Sequence, residues 1–185
     1  VRIISGHLKA RRFSVPKGFP SRPTTDFAKE GLFNVLEHQF VISDSKILDL
    51  CVGTGNISFE FISRNASAVT GVDVNSKCLS HVRKIASELQ ITNQLQTVKS
   101  DILTFLAKTE QTYDLIFADP PYDYSSHAEI AKLVFERNLL HEDGILIVEH
   151  GRNTVLDSVT HYDFTRVYGN VYFSFFSSKL PHHEQ

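Results

Sequence analysis

The chain reads as an α/β protein built on a mostly parallel sheet. Three observations predict this. Short apolar runs alternate with segments of helical spacing from residue 46 to residue 149, the runs are apolar throughout as in strands covered on both faces, and an acid or a small residue stands where each run stops. Only the last two runs break the alternation.

Taken in order, residues 2–5 and 11–15 are β-like runs around Gly6 and Lys9-Ala10, which predicts a small N-terminal β-hairpin. Pro16, Gly18, Pro20 and Pro23 mark a loop. Thr25 or Asp26 can cap a helix carrying Phe27, Leu32, Phe33, Leu36 and Phe40 at helical spacing. Lys46 to Cys51 is the first core strand, and Val52-Gly53-Thr54-Gly55-Asn56 leads into a helix ending about Arg64. A second strand, Ala68 to Val72, stops at Asp73, and a helix runs from Ser76 to about Gln90. The third strand, Leu95 to Lys99, stops at Ser100-Asp101 before a helix to about Lys108. Tyr113 to Ala118 is the fourth strand, His127 to about Arg137 a helix, and Gly144 to Glu149 the fifth strand. Asp163 to Tyr168 and Val171 to Ser177 flank Gly169-Asn170, a tight-hairpin pair, so the sheet should finish with an antiparallel strand. The expected organisation is a basic hairpin and loop over 1–25, a main domain over 26–177 and a loose tail over 178–185.

With 42% apolar and 22% charged residues, the chain is globular and not disordered. No stretch approaches the roughly 18 apolar residues of a membrane span, and the first residues lack a signal-peptide pattern, so a cytoplasmic protein is expected. Cys51 and Cys78 lie in apolar contexts and read as buried free thiols. The nine histidines show no metal-ligand spacing, and no metal site is expected. Charge is segregated: residues 1–25 carry Arg2, Lys9, Arg11, Arg12, Lys17 and Arg22 and no acid, so +6 there accompanies −8 in the remainder. Such a segment suits neutralisation of nucleic-acid phosphates, although a solvated hairpin without a partner fits the same count.

Asp119-Pro120-Pro121-Tyr122 directly follows the fourth strand. Two prolines fix φ at consecutive positions and restrict the residue before each, so the Asp119 carboxylate, the Pro120 carbonyl and the Tyr122 ring are held in fixed relation. That arrangement suits methylation of an exocyclic amino group on a base. The nitrogen lone pair is delocalised into the ring; two acceptors, Asp119 and the Pro120 carbonyl, can direct the N–H bonds and aim the lone pair, while Tyr122 stacks on the base.

A cofactor pocket is legible at the preceding strand ends. Asp49 closes the first strand, Gly53 and Gly55 permit close backbone approach, and Asp73 follows 18 residues after Gly55, a spacing suited to ribose hydroxyls. Ser58 stands where a dinucleotide fingerprint has its third glycine, so an adenosyl cofactor without pyrophosphate is favoured. S-adenosylmethionine is such a molecule. Its ammonium group would lie near Asp49, and Asp101 would accept the adenine amino group. Each acid also has an ordinary use, Asp49 as a strand-end cap and Asp73 and Asp101 as helix N-caps.

Arg2-Ile3-Ile4-Ser5-Gly6, Lys9-Ala10-Arg11-Arg12, Arg22-Pro23-Thr24-Thr25-Asp26, Leu32-Phe33-Asn34-Val35-Leu36, Asp49-Leu50-Cys51-Val52-Gly53-Thr54-Gly55 and Asp119-Pro120-Pro121-Tyr122 together resemble the RsmD family of 16S ribosomal RNA guanine-N2 methyltransferases. The resemblance runs from Arg2 to about Phe176. It implies a Rossmann-like, S-adenosylmethionine-dependent methyltransferase fold with a seven-stranded sheet and an N-terminal hairpin. It also implies methyl transfer to the 2-amino group of a guanine in 16S rRNA, in the small ribosomal subunit or its assembly intermediate. Asp49, Gly53, Gly55, Asp73 and Asp101 would bind cofactor, Asp119, Pro120, Pro121 and Tyr122 would hold the base, and Arg2, Lys9, Arg11, Arg12 and Arg22 would contact RNA. Glu149 matches an acidic position of that family. Three positions depart from the pattern: Phe27 and Lys29 stand where family members usually have Arg, and Ser58 where they have Gly.

Three other readings share parts of these features. An adenine-N6 or other amino methyltransferase uses the same tetrad, although no separate target-recognition domain is visible. A dinucleotide-dependent oxidoreductase is opposed by the missing glycine. A non-catalytic RNA-binding assembly factor could retain the cofactor fold. The small single domain suggests a monomer.

Overall fold

The computed structural model describes residues 1–121 and 123–179. Its elements are α1 (Asp26–Gln39), β1 (Lys46–Leu50), α2 (Asn56–Ser63), β2 (Ala68–Asp73), α3 (Ser76–Glu88), β3 (Leu95–Lys99), α4 (Ile102–Lys108), β4 (Tyr113–Ala118), α5 (His127–Glu136), β5 (Leu140–His150), β6 (Tyr162–Tyr168) and β7 (Val171–Ser177). The strands form one seven-stranded sheet in the order β3-β2-β1-β4-β5-β7-β6. The first five run parallel, and β7 lies antiparallel between β5 and β6.

The uniformly apolar strands follow from cover on both faces. Ile47, Leu115, Phe117 and Ile147 point into one layer with Leu32, Phe33, Leu36, Phe59 and Val82 of α1, α2 and α3. Leu48, Leu50, Ile116, Leu146 and Val148 alternate into the other, with Ile102, Leu106, Ile130 and Val134 of α4 and α5. The α/β class, the parallel core and the closing antiparallel strand are as expected from the sequence. No helix of the described residues is long and apolar enough to cross a membrane.

Details differ from expectation for identifiable reasons. The N-terminal hairpin is not among them: its two runs meet as expected, in an antiparallel bridge between Arg2 and Arg12. Ile3 N–H donates to the Arg11 carbonyl, Ala10 N–H to the Ile3 carbonyl and Phe13 N–H to the Val1 carbonyl across the hairpin. It is anchored on α2, where Ile4 N–H donates to the Glu60 carboxylate, His7 N–H to the Ser63 carbonyl and Leu8 N–H to Ser63 Oγ. Ile3, Leu8 and Phe13 are buried in the first core layer. β5 begins at Leu140 instead of Gly144, because Leu140 pairs with Tyr113 across a register shift before the apolar part of the strand begins. On α1 the buried positions are Ala28, Lys29, Leu32, Phe33 and Leu36, whereas Phe27 is exposed. The chain from Leu180 onward and Tyr122 lie outside the described residues.

Candidate active site

Strands β1 and β4 are neighbours, yet β1 connects onward to β2 on one side and β4 to β5 on the other. Open α/β sheets bind ligands in the crevice this reversal leaves at the strands' carboxyl ends. Asp49 and Asp119 stand on its two sides. The Asp119 N–H donates to the Leu50 carbonyl at 3.1 Å, which pins the Pro-Pro turn to the end of β1. Pro120 is buried, and the Pro121 carbonyl accepts the Tyr124 N–H at 2.9 Å. Tyr122, expected to stack on the base, lies outside the described residues.

The structure gives Glu149 a place that sequence reasoning did not. Ala118 pairs with Val148, so Glu149 lies beside Asp119, close enough for each carboxyl group to shift the other. Burial raises the affinity of both for a proton. Asp119's charge pushes Glu149 further up, well above the usual carboxylate range, while Glu149 pulls Asp119 back down. Both carboxyls are thus shifted toward holding a proton, Glu149 the more strongly because Asp119's charge adds to its burial. Asp119 keeps lone pairs for other donors.

On the other side, Asp49 is 1% exposed. Burial pushes its carboxyl up to about 7; Ser58 Oγ, donating at 2.6 Å, opposes the shift, and the Asp119 and Asp73 charges add to it. Ser58, one of the three departures, thus holds this acid in place. Asp73 accepts the Gly53 N–H on one oxygen at 3.0 Å and the Asn75 N–H on the other at 2.9 Å, so it braces the glycine loop. Gly53 itself needs to be glycine: its φ is 53°, and a Cβ there would meet Ser21 Oγ at 2.5 Å. Asp101 caps α4, its two oxygens accepting the Thr104 N–H and hydroxyl, which hold it below the usual carboxylate range. The capping use read from the sequence is thus present, and one lone pair on each oxygen is left over.

These residues suit an adenosyl sulfonium cofactor. Asp49 is a buried carboxylate with no cation paired to it among the described residues, which an ammonium group would supply. Asp73 has free lone pairs for hydroxyl donors beside a loop with no side chain at Gly53 or Gly55. Ser21, Arg22, Pro23 and Thr24 face Asp49, Gly53, Phe117 and Asp119 across a space of about 20 Å³, room for a single water. Cys51, half-buried between the acids, has φ 66°, and burial pushes its thiol up; Cys78 is shifted the same way, and both cysteines are free.

Lys9, Arg11, Arg12 and Arg22 are exposed, and none forms an ion pair among the described residues. Arg2 instead reaches Asp26 at 3.2 Å and Glu30 at 3.8 Å on α1. Sequence reasoning missed the buried Lys29. Its Nζ donates to the Arg2 carbonyl at 2.9 Å and to Asn56 Oδ1 at 2.7 Å and lies 3.7 Å from Glu60. Asn56 Nδ2 in turn donates to the Thr24 carbonyl. Burial lowers the Lys29 pKa, with Glu60 opposing the shift. The signal was available: Lys29 precedes Leu32, Phe33 and Leu36 by three, four and seven residues, so it sits in the apolar stripe.

A seven-stranded sheet with its last strand pair antiparallel, and with acids at the ends of its core strands, defines the class of Rossmann-like, S-adenosylmethionine-dependent methyltransferases. The solved yhhF protein of Escherichia coli superposes with a TM-score of 0.83 at 26% identity, covering 97% of this chain and 99% of that one. The RNA methyltransferase of Salinibacter ruber, solved in complex with S-adenosyl-L-homocysteine, shares the fold at a TM-score of 0.63 and 16% identity, over 87% of this chain and 97% of that one. Within the class, residues 1–177 match the family described as Conserved hypothetical protein 95. Relatives named Ribosomal RNA small subunit methyltransferase D are 31% identical over 149 residues in Escherichia coli strain K12 (80% of this chain, 74% of the relative) and 30% identical over 160 residues in Buchnera aphidicola subsp. Baizongia pistaciae (86% and 80%). The chain belongs to this family, the RsmD family that its motifs resemble.

Proposed function

We propose that this protein transfers a methyl group from S-adenosylmethionine to the exocyclic 2-amino group of a guanine in 16S rRNA, acting on the small ribosomal subunit or its assembly intermediate. It works as a cytoplasmic monomer whose basic residues 1–25 contact RNA. The observation that carries the reading is the Asp119–Glu149 pair at the Pro-locked turn, facing Asp49 across the β1–β4 crevice.

When bound, the cofactor supplies a methyl group on a sulfonium that departs as a neutral thioether, so the protein has to align the reactants. Asp49 receives the cofactor's ammonium group and Asp73 its ribose hydroxyls. Glu149, the carboxyl shifted further toward holding a proton, stands beside Asp119. Asp119 and the Pro120 carbonyl each accept one N–H of the target amino group, which frees the nitrogen lone pair for attack. The nitrogen becomes acidic once alkylated and sheds its proton to Asp119 or to water, so no strong base is needed. Loop guanines are favourable targets because an unpaired base is splayed out at small cost.

The test is methyl incorporation from labelled S-adenosylmethionine into small subunits lacking the native modification, naked 16S rRNA and duplex DNA, followed by nucleoside analysis. N2-methylguanosine on subunits is expected. N6-methyladenosine, or label in DNA alone, would replace guanine as the target; no label with cofactor still bound would leave an assembly factor.

A further inference from the structure

We propose that Phe27 and Tyr168 form an aromatic platform at the mouth of the site on which an unpaired RNA base adjoining the target nucleotide stacks; this rests on the rRNA methyltransferase reading above. Phe27 is 66% exposed, and it is the one aromatic among the exposed large hydrophobic residues described. A phenyl ring so open to water contributes little to the core. Its ring meets that of Tyr168 edge to face, with centroids 5.7 Å apart and planes at 84°, which leaves a ring face open to solvent. Tyr168 is itself seated on α1 by a gap in the side-chain row. A Cβ at Gly31, one helical turn after Phe27, would meet the Tyr168 ring at 2.2 Å. A helix-weakening glycine is thus used where it lets the tyrosine lie against the helix and brace Phe27.

The pair also sits at the substrate end of the molecule. Tyr168 ends β6 and pairs with Val171 at the start of β7, and Tyr172 pairs with His150 at the end of β5, next to Glu149. The β6–β7 turn therefore lies on the same edge of the sheet as Asp119. Phe27 lies three residues after Thr24, which lines the crevice and is tied to Asn56. Arg22, exposed and without an ion pair among the described residues, lines the crevice mouth and supplies a positive charge for the backbone, whereas Arg2 is paired with Asp26 and Glu30 on the same helical turn. Single-stranded RNA is held by this combination of aromatic faces and basic side chains.

The chain contains no tryptophan, so Phe27→Trp introduces a single tryptophan at the platform, excited selectively over the six tyrosines at about 295 nm. Its emission is expected to be quenched on titration with small subunits lacking the native modification, and emission unchanged at saturating subunits overturns the proposal. In methylation assays on subunits, Phe27→Ala should raise KM for RNA about tenfold with kcat changed much less. Phe27→Tyr should restore KM, whereas Phe27→Leu, which keeps apolar bulk without a π face, should not; Leu restoring KM as well as Tyr overturns stacking. Normal methylation by the unsubstituted protein with either of those overturning results removes the platform alone, whereas no rRNA methylation by the unsubstituted protein removes the parent reading and the platform with it.

Discussion

The two halves of the crevice rim use the same residue type in opposite ways. On the β1, β2 and β3 side, the acids are tied to neutral donors of their own chain: Asp49 to Ser58, Asp73 to the backbone at Gly53 and Asn75, Asp101 to Thr104. On the β4 and β5 side, Asp119 and Glu149 stand beside each other, and each shifts the other. The first half is a set of fixed acceptors that shape a loop for a constant ligand. The second is a carboxyl pair in which the proton affinity of each member depends on the other, at a Pro-locked turn. Prefixed acceptors suit binding, and a carboxyl group on a locked turn suits alignment of a reacting group.

The largest effect should come from the second half. Asp119→Ala is expected to lower kcat about 10²–10³-fold while changing cofactor affinity little, checked by single-turnover methyl transfer beside calorimetry. Equal loss of both would mean that the halves do not divide the work. Lys29→Ala tests the tie that binds α1 to α2 and the N-terminal segment beneath the crevice loop. It strips Glu60 of a buried cation and leaves Asn56 and the Arg2 carbonyl without their donor, so unfolding stability should fall by about 3 kcal/mol in denaturant titrations. Asp73→Ala should weaken cofactor binding roughly 10–100-fold and leave kcat at saturating cofactor nearly unchanged. The smallest effect is on pH. Asp49 titrates near 7 in the free protein, and only its ionised form suits an ammonium group; cofactor affinity should rise with pH, level off above about 8 and fall up to about tenfold per unit below 7. Because Ser58 lowers the Asp49 pKa, Ser58→Ala should move that midpoint upward, as calorimetry at several pH values would reveal.

Strand ends were the readable part of this molecule. Asp49, Asp73, Asp101 and Asp119 all lie at carboxyl ends of strands because an apolar run that stops at an acid signals both the end of burial and the face where it stops. Contacts between distant segments were not readable in the same way. Glu149 meets Asp119 only through the β4–β5 register, and Phe27 looked like a member of the apolar stripe until Tyr168, far along the chain, fixed where it lies. The N-terminal hairpin is readable while its anchor is not: β-like composition at residues 2–5 and 11–15 gives no hint that Ile4 and Leu8 bond to Glu60 and Ser63 of α2.

That anchor bears on how the protein is made. The bonds from Ile4 and Leu8 to α2 span 56 and 55 residues of sequence. The basic segment therefore leaves the translating ribosome well before the helix that fixes it exists. At roughly 5–20 residues per second the wait is on the order of 3–11 s, during which its arginines and lysines are carried on an unanchored strand. Ile3, Leu8 and Phe13 remain uncovered for the same interval. Order in this segment is thus delivered late, by residues 56–63, and a nascent chain arrested before α2 would present the basic groups without the shape that α2 imposes on them.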